Sequence, residues 1–212
     1  MDEPTLRRQF TERHQPGARV TVIIATNGER DEFLKQATES VKNQTTPVDL
    51  IIVTGPKGPW SDTNNLYEKW NKGIAKCKTP LFIPLCDDDW LDTTYAEKTI
   101  GRMDRQQYDI VGTPIECFGT HPGVHGPSKL PFVTALCKKE YWERVGGYDE
   151  RGLMCADYDF WWMCYDAGAQ IGYVDEPLLK YRKHPGQVSN IGDWQRDVRT
   201  MWDKHGGNQS PY

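Results

Sequence analysis

The sequence predicts an α/β domain built on a parallel sheet with crossover helices. Three observations carry this. Apolar, β-branched runs alternate with helix-patterned stretches three times between Arg19 and Arg105. Turn residues punctuate each switch of period. No internal repeat and no interdomain linker interrupts the chain.

The elements follow in order. Met1 to Ala18 is polar and broken by Pro16-Gly17, which predicts a loose arm or a short helix. Arg19 to Ile24 is apolar and β-branched, a buried strand. Asn27-Gly28 marks a turn. From Asp31, the residues Phe33, Leu34, Ala37 and Val41 share one helical face, and Thr45-Thr46-Pro47 ends that helix. Leu50 to Val53 is the second buried strand, and Gly55 to Pro59 is a loop. A second helix is expected from about Asp62, with Leu66, Trp70, Ile74 and Cys77 on one stripe. Leu81 to Leu85 is the third strand, and a third helix runs from Thr93 to Arg105. Ile110 to Gly112 is a short strand. Gly119 to Pro127 is turn chemistry throughout, which predicts a surface loop. Phe132 to Leu136 is strand-like, and Lys139 to Val145 is a short helix stopped by Gly146-Gly147. A helix over Asp157 to Asp166, strands at Ile171 to Val174 and Leu178 to Tyr181, a helix near Asp193 to Trp202 and a polar tail complete the chain.

Composition bounds the function. The chain has 212 residues, 37% hydrophobic and 26% charged, which suits one soluble globular domain. A net charge of −4 gives no basic footprint for nucleic acid. No apolar run reaches the length of a membrane span, and the amino-terminal segment lacks the apolar core of a signal peptide. A cytoplasmic protein is expected. None of the six cysteines forms a Cys-x-x-Cys pair, so buried, reduced thiols are expected rather than zinc ligands. Eight Trp and ten Tyr serve either the core or flat sugar-binding faces.

Chemistry concentrates at Cys86-Asp87-Asp88-Asp89-Trp90, directly after the third strand. Three successive carboxylates repel one another, and burying them requires a cation or a donor network. Such oxygen-rich clusters suit Mg²⁺ or Mn²⁺. Ligands of open α/β sheets sit beyond the carboxyl ends of the strands. An acidic turn in water, with Asp92 or Thr93 capping the next helix, is the other reading. Asp157 and Asp159 open an apolar helix; one suits the free N–H groups there, the other a general base. His184 sits between a strand-like segment and Pro185-Gly186, as a ligand or as a structural histidine.

A set of motifs in fixed order ties these together. They are Val-Ile-Ile-x-Thr, Glu39-Ser40-Val41-x-x-Gln44, Ile-Ile-Val, Asn71-x-Gly73-Ile74, the Asp run, Gly146-Gly147-Tyr148-Asp149-Glu150, Ala156-Asp157-Tyr158-Asp159-Phe160-Trp161 and Tyr181-Arg182-x-His184. The arrangement resembles family 2 of the GT-A glycosyltransferases over about Val20 to Ser189. The resemblance implies a GT-A fold, with a Rossmann-like nucleotide-binding half and an acceptor-binding half over one mixed sheet. It places the domain at 19–190, divided at 114/115, with an arm at 1–18 and a helix and tail at 191–212. It implies transfer of one sugar, with inversion, from a nucleotide-diphosphate sugar to a hydroxyl of a glycan or other acceptor.

Residue roles follow from the resemblance. Asp89 is the expected ligand of Mn²⁺ or Mg²⁺, with Asp87 and His184 completing the site. Asp87 and Asp88 face the ribose side. Thr26, Asn27, Arg30, Thr54, Asn71 and Gly73 surround the nucleotide. Asp157 is the base. The loop from Glu116 to Lys129, with Glu116, His121 and His125, lies where the family varies to fit acceptors, and Trp60 and Trp162 are the aromatic faces expected to stack on the acceptor's sugar rings. Two positions depart from the family pattern. Thr54 stands where an Asp usually reads uracil, so UDP-sugar is expected, with thymidine or guanosine as alternatives. Ala156 replaces the Glu of a Glu-Asp pair. The processive Gln-x-x-Arg-Trp signature is absent, which favours single transfer over polymer synthesis. A nucleotidyltransferase of similar architecture and a non-catalytic sugar- or nucleotide-binding module are the competing readings. Ala25 to Arg30 holds only one glycine, against the phosphate loop the former uses.

Overall fold

A computed structural model describes residues 9–56, 65–126, 130–151, 154–187 and 194–207. In chain order the elements are β1 (Phe10–Arg13), β2 (Val20–Thr26), α1 (Asp31–Lys42), β3 (Asp49–Thr54), α2 (Leu66–Lys76), β4 (Leu81–Cys86), β5 (Trp90–Leu91) and α3 (Tyr95–Gln106). There follow β6 (Ile110–Gly112), β7 (Ile115–Gly119), β8 (Gly123–His125), β9 (Leu136–Lys138), α4 (Lys139–Val145), α5 (Ala156–Asp166), β10 (Ile171–Tyr173), β11 (Leu179–Lys183) and α6 (Trp194–Lys204).

Among the described residues, one seven-stranded sheet runs in the order β1-β3-β2-β4-β9-β6-β10. Its centre, β3-β2-β4, is parallel; β1 and β9 are antiparallel to their neighbours. A second sheet, β5-β11-β7-β8, lies beyond the carboxyl end of β4. The architecture is therefore mixed α/β, as the strand–helix alternation predicts. All seven residues of β2 are buried. Period-two geometry sends Ile23 and Ala25 to one face and Val22 and Ile24 to the other. The first face joins Trp70, Ile74, Phe82, Phe160 and Trp161; the second joins Leu50, Ile83, Leu85 and Tyr95. Each large side chain so buried contributes about 1.5–3 kcal/mol.

Four expectations are corrected. The polar arm contains β1, which pairs with β3 from Phe10↔Val53 to Arg13↔Leu50. Its side chains are mostly exposed, and the backbone ladder that covers the β3 edge holds it. The segment Gly119 to Pro127 is not loop throughout. β7 and β8 form a hairpin, with Ile115↔His125 at its base. Turn residues mark its tip: Gly119 has φ +97°, and a Cβ there would lie 2.3 Å from the Lys183 carbonyl oxygen. The strand expected at Phe132 to Leu136 is shifted to Leu136–Lys138, where β4 and β6 both offer pairing edges. The second helix begins at Leu66, after Asn65 Oδ1 caps the Tyr67 and Glu68 N–H groups. No helix among the described residues is long and apolar enough to cross a membrane. All six cysteines are unpaired; five are buried and Cys86 is half-buried.

Candidate functional site

The parallel strands β2, β3 and β4 end side by side, with Thr26 opposite Thr54 and Ala25 opposite Cys86. The Asp87-Asp88-Asp89 turn leaves β4 at this edge. After β2 the chain turns tightly: the Gly28 N–H donates to Thr26 Oγ1 (3.0 Å) and the Glu29 N–H to Asn27 Oδ1 (3.2 Å). That turn delivers Arg30 to the start of α1 and its guanidinium to the acidic turn. Arg30 Nη2 donates to Asp87 Oδ1 at 2.5 Å and Nη1 to Asp88 Oδ2 at 2.6 Å. His184 Nε2 lies 3.1 Å from the same Asp88 oxygen. The Arg182 N–H donates to Asp89 Oδ1 at 2.8 Å, and Arg182 Nε to the Asp88 carbonyl at 3.0 Å. The Arg182 guanidinium in turn lies over Phe33 (4.1 Å), Phe118 (4.7 Å) and Trp90 (5.1 Å), so aromatic faces hold it in place.

Burial and charge divide the three carboxylates. Asp87, Asp88 and Asp89 are 0%, 9% and 1% exposed. Burial pushes Asp87 up to about 6 against the opposing charge of Arg30. Asp89 is raised by burial and then by the neighbouring Asp88 charge. Burial also opposes ionisation of Asp88, but its His184 hydrogen bond and Arg30 outweigh it, and its pKa falls.

The donor set fits a hard divalent ion. Asp87 Oδ2 and Asp89 Oδ2 are buried with no hydrogen-bond partner among the described residues. An unsatisfied buried acceptor costs roughly 1–3 kcal/mol, more when charged. Donor atoms of Cys86, Asp88 and Asp89 lie within 4.8 Å of one another. Mg²⁺ and Mn²⁺ prefer the carboxylates, and burial keeps the Cys86 thiol protonated.

A cavity of about 710 Å³ opens against this turn. Arg30 and the three carboxylates border it on one side, and Asp157 at the start of α5 on another. Asp157 is half-buried, its Oδ1 accepts the Tyr158 N–H at 2.9 Å, and burial raises its pKa to about 6. Asp159, by contrast, is fully buried and accepts from Lys204 Nζ (2.7 Å) and His205 Nε2 (2.9 Å). The two helix-opening carboxylates therefore have separate tasks, one at the cavity and one holding α6. A smaller hollow of about 460 Å³ lies at the amino end of β4, among paired surface charges such as Arg19 and Asp104.

Other expected site residues sort by position. Thr26 and Asn27 are buried at the strand end beside the acidic turn; Thr54 is half-buried, and its N–H donates to the Gln9 carbonyl at 2.9 Å. None of the three borders the cavity. Asn71 and Gly73 do not line it either, contrary to expectation. Asn71 bolts α2 to the Gly147-Tyr148 corner: its Oδ1 accepts from Trp142 Nε1 (2.8 Å) and the Tyr148 N–H (2.9 Å), and its Nδ2 donates to the Tyr148 carbonyl (2.8 Å). Gly73 lets α2 approach the sheet, since a Cβ there would lie 2.4 Å from Ile23 Cγ2. Trp162 is buried and stacked on His205 (4.3 Å, 13°), so it offers no acceptor face. Glu116 pairs with Lys180. His121 is exposed near the hairpin tip, and His125 borders the cavity in its place. Trp60 lies outside the described residues.

Residues not anticipated form the opposite wall. Val198, Met201 and Trp202 of α6 face the cavity with Met154 and Tyr158, and Lys183 and Gln187 border it from β11 and beyond. The spacing of Val198, Met201 and Trp202 is that of one helical face, but that pattern does not say what the face covers.

Neither a family model nor a curated protein sequence matches the chain. Solved structures do. The structure of S. aureus TarS residues 1–349 with UDP-GlcNAc superposes with a TM-score of 0.69 at 11% identity, over 88% of this chain and 66% of that one. The same fragment with UDP gives 0.63 at 9% identity, over 87% and 70%. A longer TarS chain gives 0.64 at 10% identity, of which this chain covers 39%. At these identities the likeness is one of fold, and the fold is GT-A-like.

Proposed function

We propose that the chain is a metal-dependent, inverting glycosyltransferase of the GT-A family 2 type. It moves one sugar from a nucleotide-diphosphate sugar, UDP-sugar first, to a hydroxyl of a carbohydrate or glycoconjugate. One observation carries the reading: a buried acidic turn with unpartnered oxygens and a half-buried carboxylate of raised pKa border the same cavity, at the carboxyl ends of parallel strands. The fold shared with TarS, solved with UDP and UDP-GlcNAc, supports the donor class. Six unpaired thiols suit a reducing compartment, and a cytoplasmic setting belongs to the proposal.

Asp89 and Asp88, with Asp87 and His184 beside them, would hold Mn²⁺ or Mg²⁺. When bound, such an ion supplies stabilisation of the negative charge that builds on the departing diphosphate. Asp157 takes the proton of the acceptor hydroxyl. With a pKa of about 6 it is ionised at neutral pH yet more basic than an ordinary aspartate. The hydroxyl oxygen then attacks the anomeric carbon from the face opposite the diphosphate. Arg30, Thr26, Asn27 and Thr54 lie at the donor end of this arrangement.

A thermal-shift panel of UDP-, TDP- and GDP-sugars, each with Mn²⁺ and with EDTA, tests the donor and the metal together. A ligand that binds only the folded state raises the melting temperature. A UDP-sugar with Mn²⁺ is expected to give the largest shift. Identical melting curves with every donor, metal present or absent, would sink the reading.

A further inference from the structure

The Arg30 guanidinium occupies an unusual position. It is held by the carboxylates of the acidic turn, spanning Asp87 and Asp88 at 2.5 and 2.6 Å and lying 3.3 Å from His184 Nε2. Its side chain is only 17% exposed. Yet the fork is incompletely used: Arg30 Nε is buried and, among the described residues, has no hydrogen-bond partner. Two carboxylate oxygens of the same turn, on Asp87 and Asp89, are likewise buried and unpartnered. An ion pair that leaves a donor and two acceptors unsatisfied is a resting arrangement with capacity for other partners.

Two features give that capacity a direction. Asp88, whose Oδ2 holds Arg30, also offers a carboxylate oxygen to the group of donor atoms within 4.8 Å that fits a divalent ion. A divalent ion and a guanidinium on one carboxylate repel each other, so both cannot use it at full strength. Arg30 also stands at the junction between the Asn27-Gly28 turn and α1, where it makes no side-chain cap. Its side chain can change partner without moving β2 or the helix. A guanidinium fork matches phosphate geometry as well as carboxylate geometry.

We propose that Arg30 is a counter-cation that makes divalent-ion binding conditional on a nucleotide diphosphate. Without nucleotide it neutralises Asp87 and Asp88 and competes with the ion. When a diphosphate enters, Arg30 transfers its fork, with the unpartnered Nε–H, to phosphate oxygens and releases Asp88 to the ion. The inference rests on the glycosyltransferase reading for the identity of both ligands. Arg30 is a positioning residue here, and its effect is a coupling between two binding events.

Mn²⁺ electron paramagnetic resonance on the full chain, with and without UDP, reads this directly. The wild type is expected to bind free Mn²⁺ weakly and to tighten strongly with UDP. Arg30→Gln is expected to bind Mn²⁺ alone about tenfold tighter than wild type, and the gain from UDP shrinks by a similar factor. Calorimetry of UDP with and without Mn²⁺ must show the same loss of coupling, because linkage is reciprocal. Arg30→Lys keeps the charge without the fork; it is expected to fall between the two and decides the matter if the Gln variant does not fold. Mn²⁺ affinity unchanged or weakened in the folded variants, with the UDP gain intact, overturns the proposal. Failure of the underlying glycosyltransferase reading looks different: no protein, wild type included, would bind Mn²⁺ even with UDP present, and the proposal would fall with it.

Discussion

At its acidic end the cavity is made of strand ends held by charge; across from it the wall is made of two helices held mainly by packing. The acidic end concentrates Asp87, Asp88, Asp89, Arg30 and His184 on short, directional bonds. The helical wall presents Val198, Met201 and Trp202, with Met154 just ahead of α5, to the same space, and its charges are spent behind it, where Asp159 clamps Lys204 and His205. Charge-built sites tolerate little displacement, because an unmatched buried charge is costly. Apolar walls tolerate more and discriminate less. Under the proposed function, the difference suits a donor of fixed chemistry at one end and a more variable acceptor at the other.

Asp157 belongs to both regions, and changing it should have the largest effect. Asp157→Asn is expected to lower transfer by about 10³-fold, within the usual range for a general base, while the UDP–Mn²⁺ thermal shift stays as in wild type. Retained turnover in a radiolabelled-donor assay would remove Asp157 from the mechanism. Asp89→Asn should break the other region: it keeps an acceptor for the Arg182 N–H but is expected to make UDP binding the same in Mn²⁺ and EDTA, read by calorimetry.

The next effects are on stability. Asp159→Asn leaves Lys204 and His205 without their carboxylate. Lys204 is about one-third exposed and can rehydrate, so a loss of about 3 kcal/mol, the lower end for a broken buried pair, is expected in denaturant melts. The donor-induced thermal shift should survive, since the clamp lies behind the helical wall.

Asp157 also has a pH signature. Its folded pKa, about 6, lies above the ordinary 3.8. The stabilisation of its protonated form is complete below the unfolded value and is lost as pH rises through 6. Asp157→Asn should therefore be more stable than wild type by roughly 2–3 kcal/mol at pH 8, with the gain fading toward pH 4. A gain of equal size at both pH values would contradict the assignment. Smallest of all, Trp202→Ala removes an exposed indole from the cavity edge. Stability should change by about 0.5 kcal/mol, and donor binding not at all, whereas acceptor KM should rise several-fold. A lost donor shift would show that the two regions are not separate.

The legibility of the site followed the same division. The Asp run could be read because its chemistry is local: three carboxylates directly after an apolar strand end where parallel strands end. Asp157 and Asp159 could be read as a pair at a helix start, but their separation could not. It depends on Lys204 at the end of α6 and His205 just after it, 45 and 46 residues away. The resemblance set Asn71 at the nucleotide, and the residues along the chain carry no sign that Trp142 and Tyr148 take up its amide. Trp162 and Trp202 were indistinguishable as helical tryptophans until His205 covered one and solvent reached the other.

The sequence by itself determined the α/β alternation, the buried parallel centre and the carboxylates at its edge. These depend on periodicity and on near neighbours along the chain. Tertiary structure alone decided which groups meet: Arg30 and His184 on Asp88, β1 on the β3 edge, and α6 as a wall. Each is a contact between segments far apart in sequence. Its energy comes from satisfying charges and backbone groups that only the assembled sheet creates.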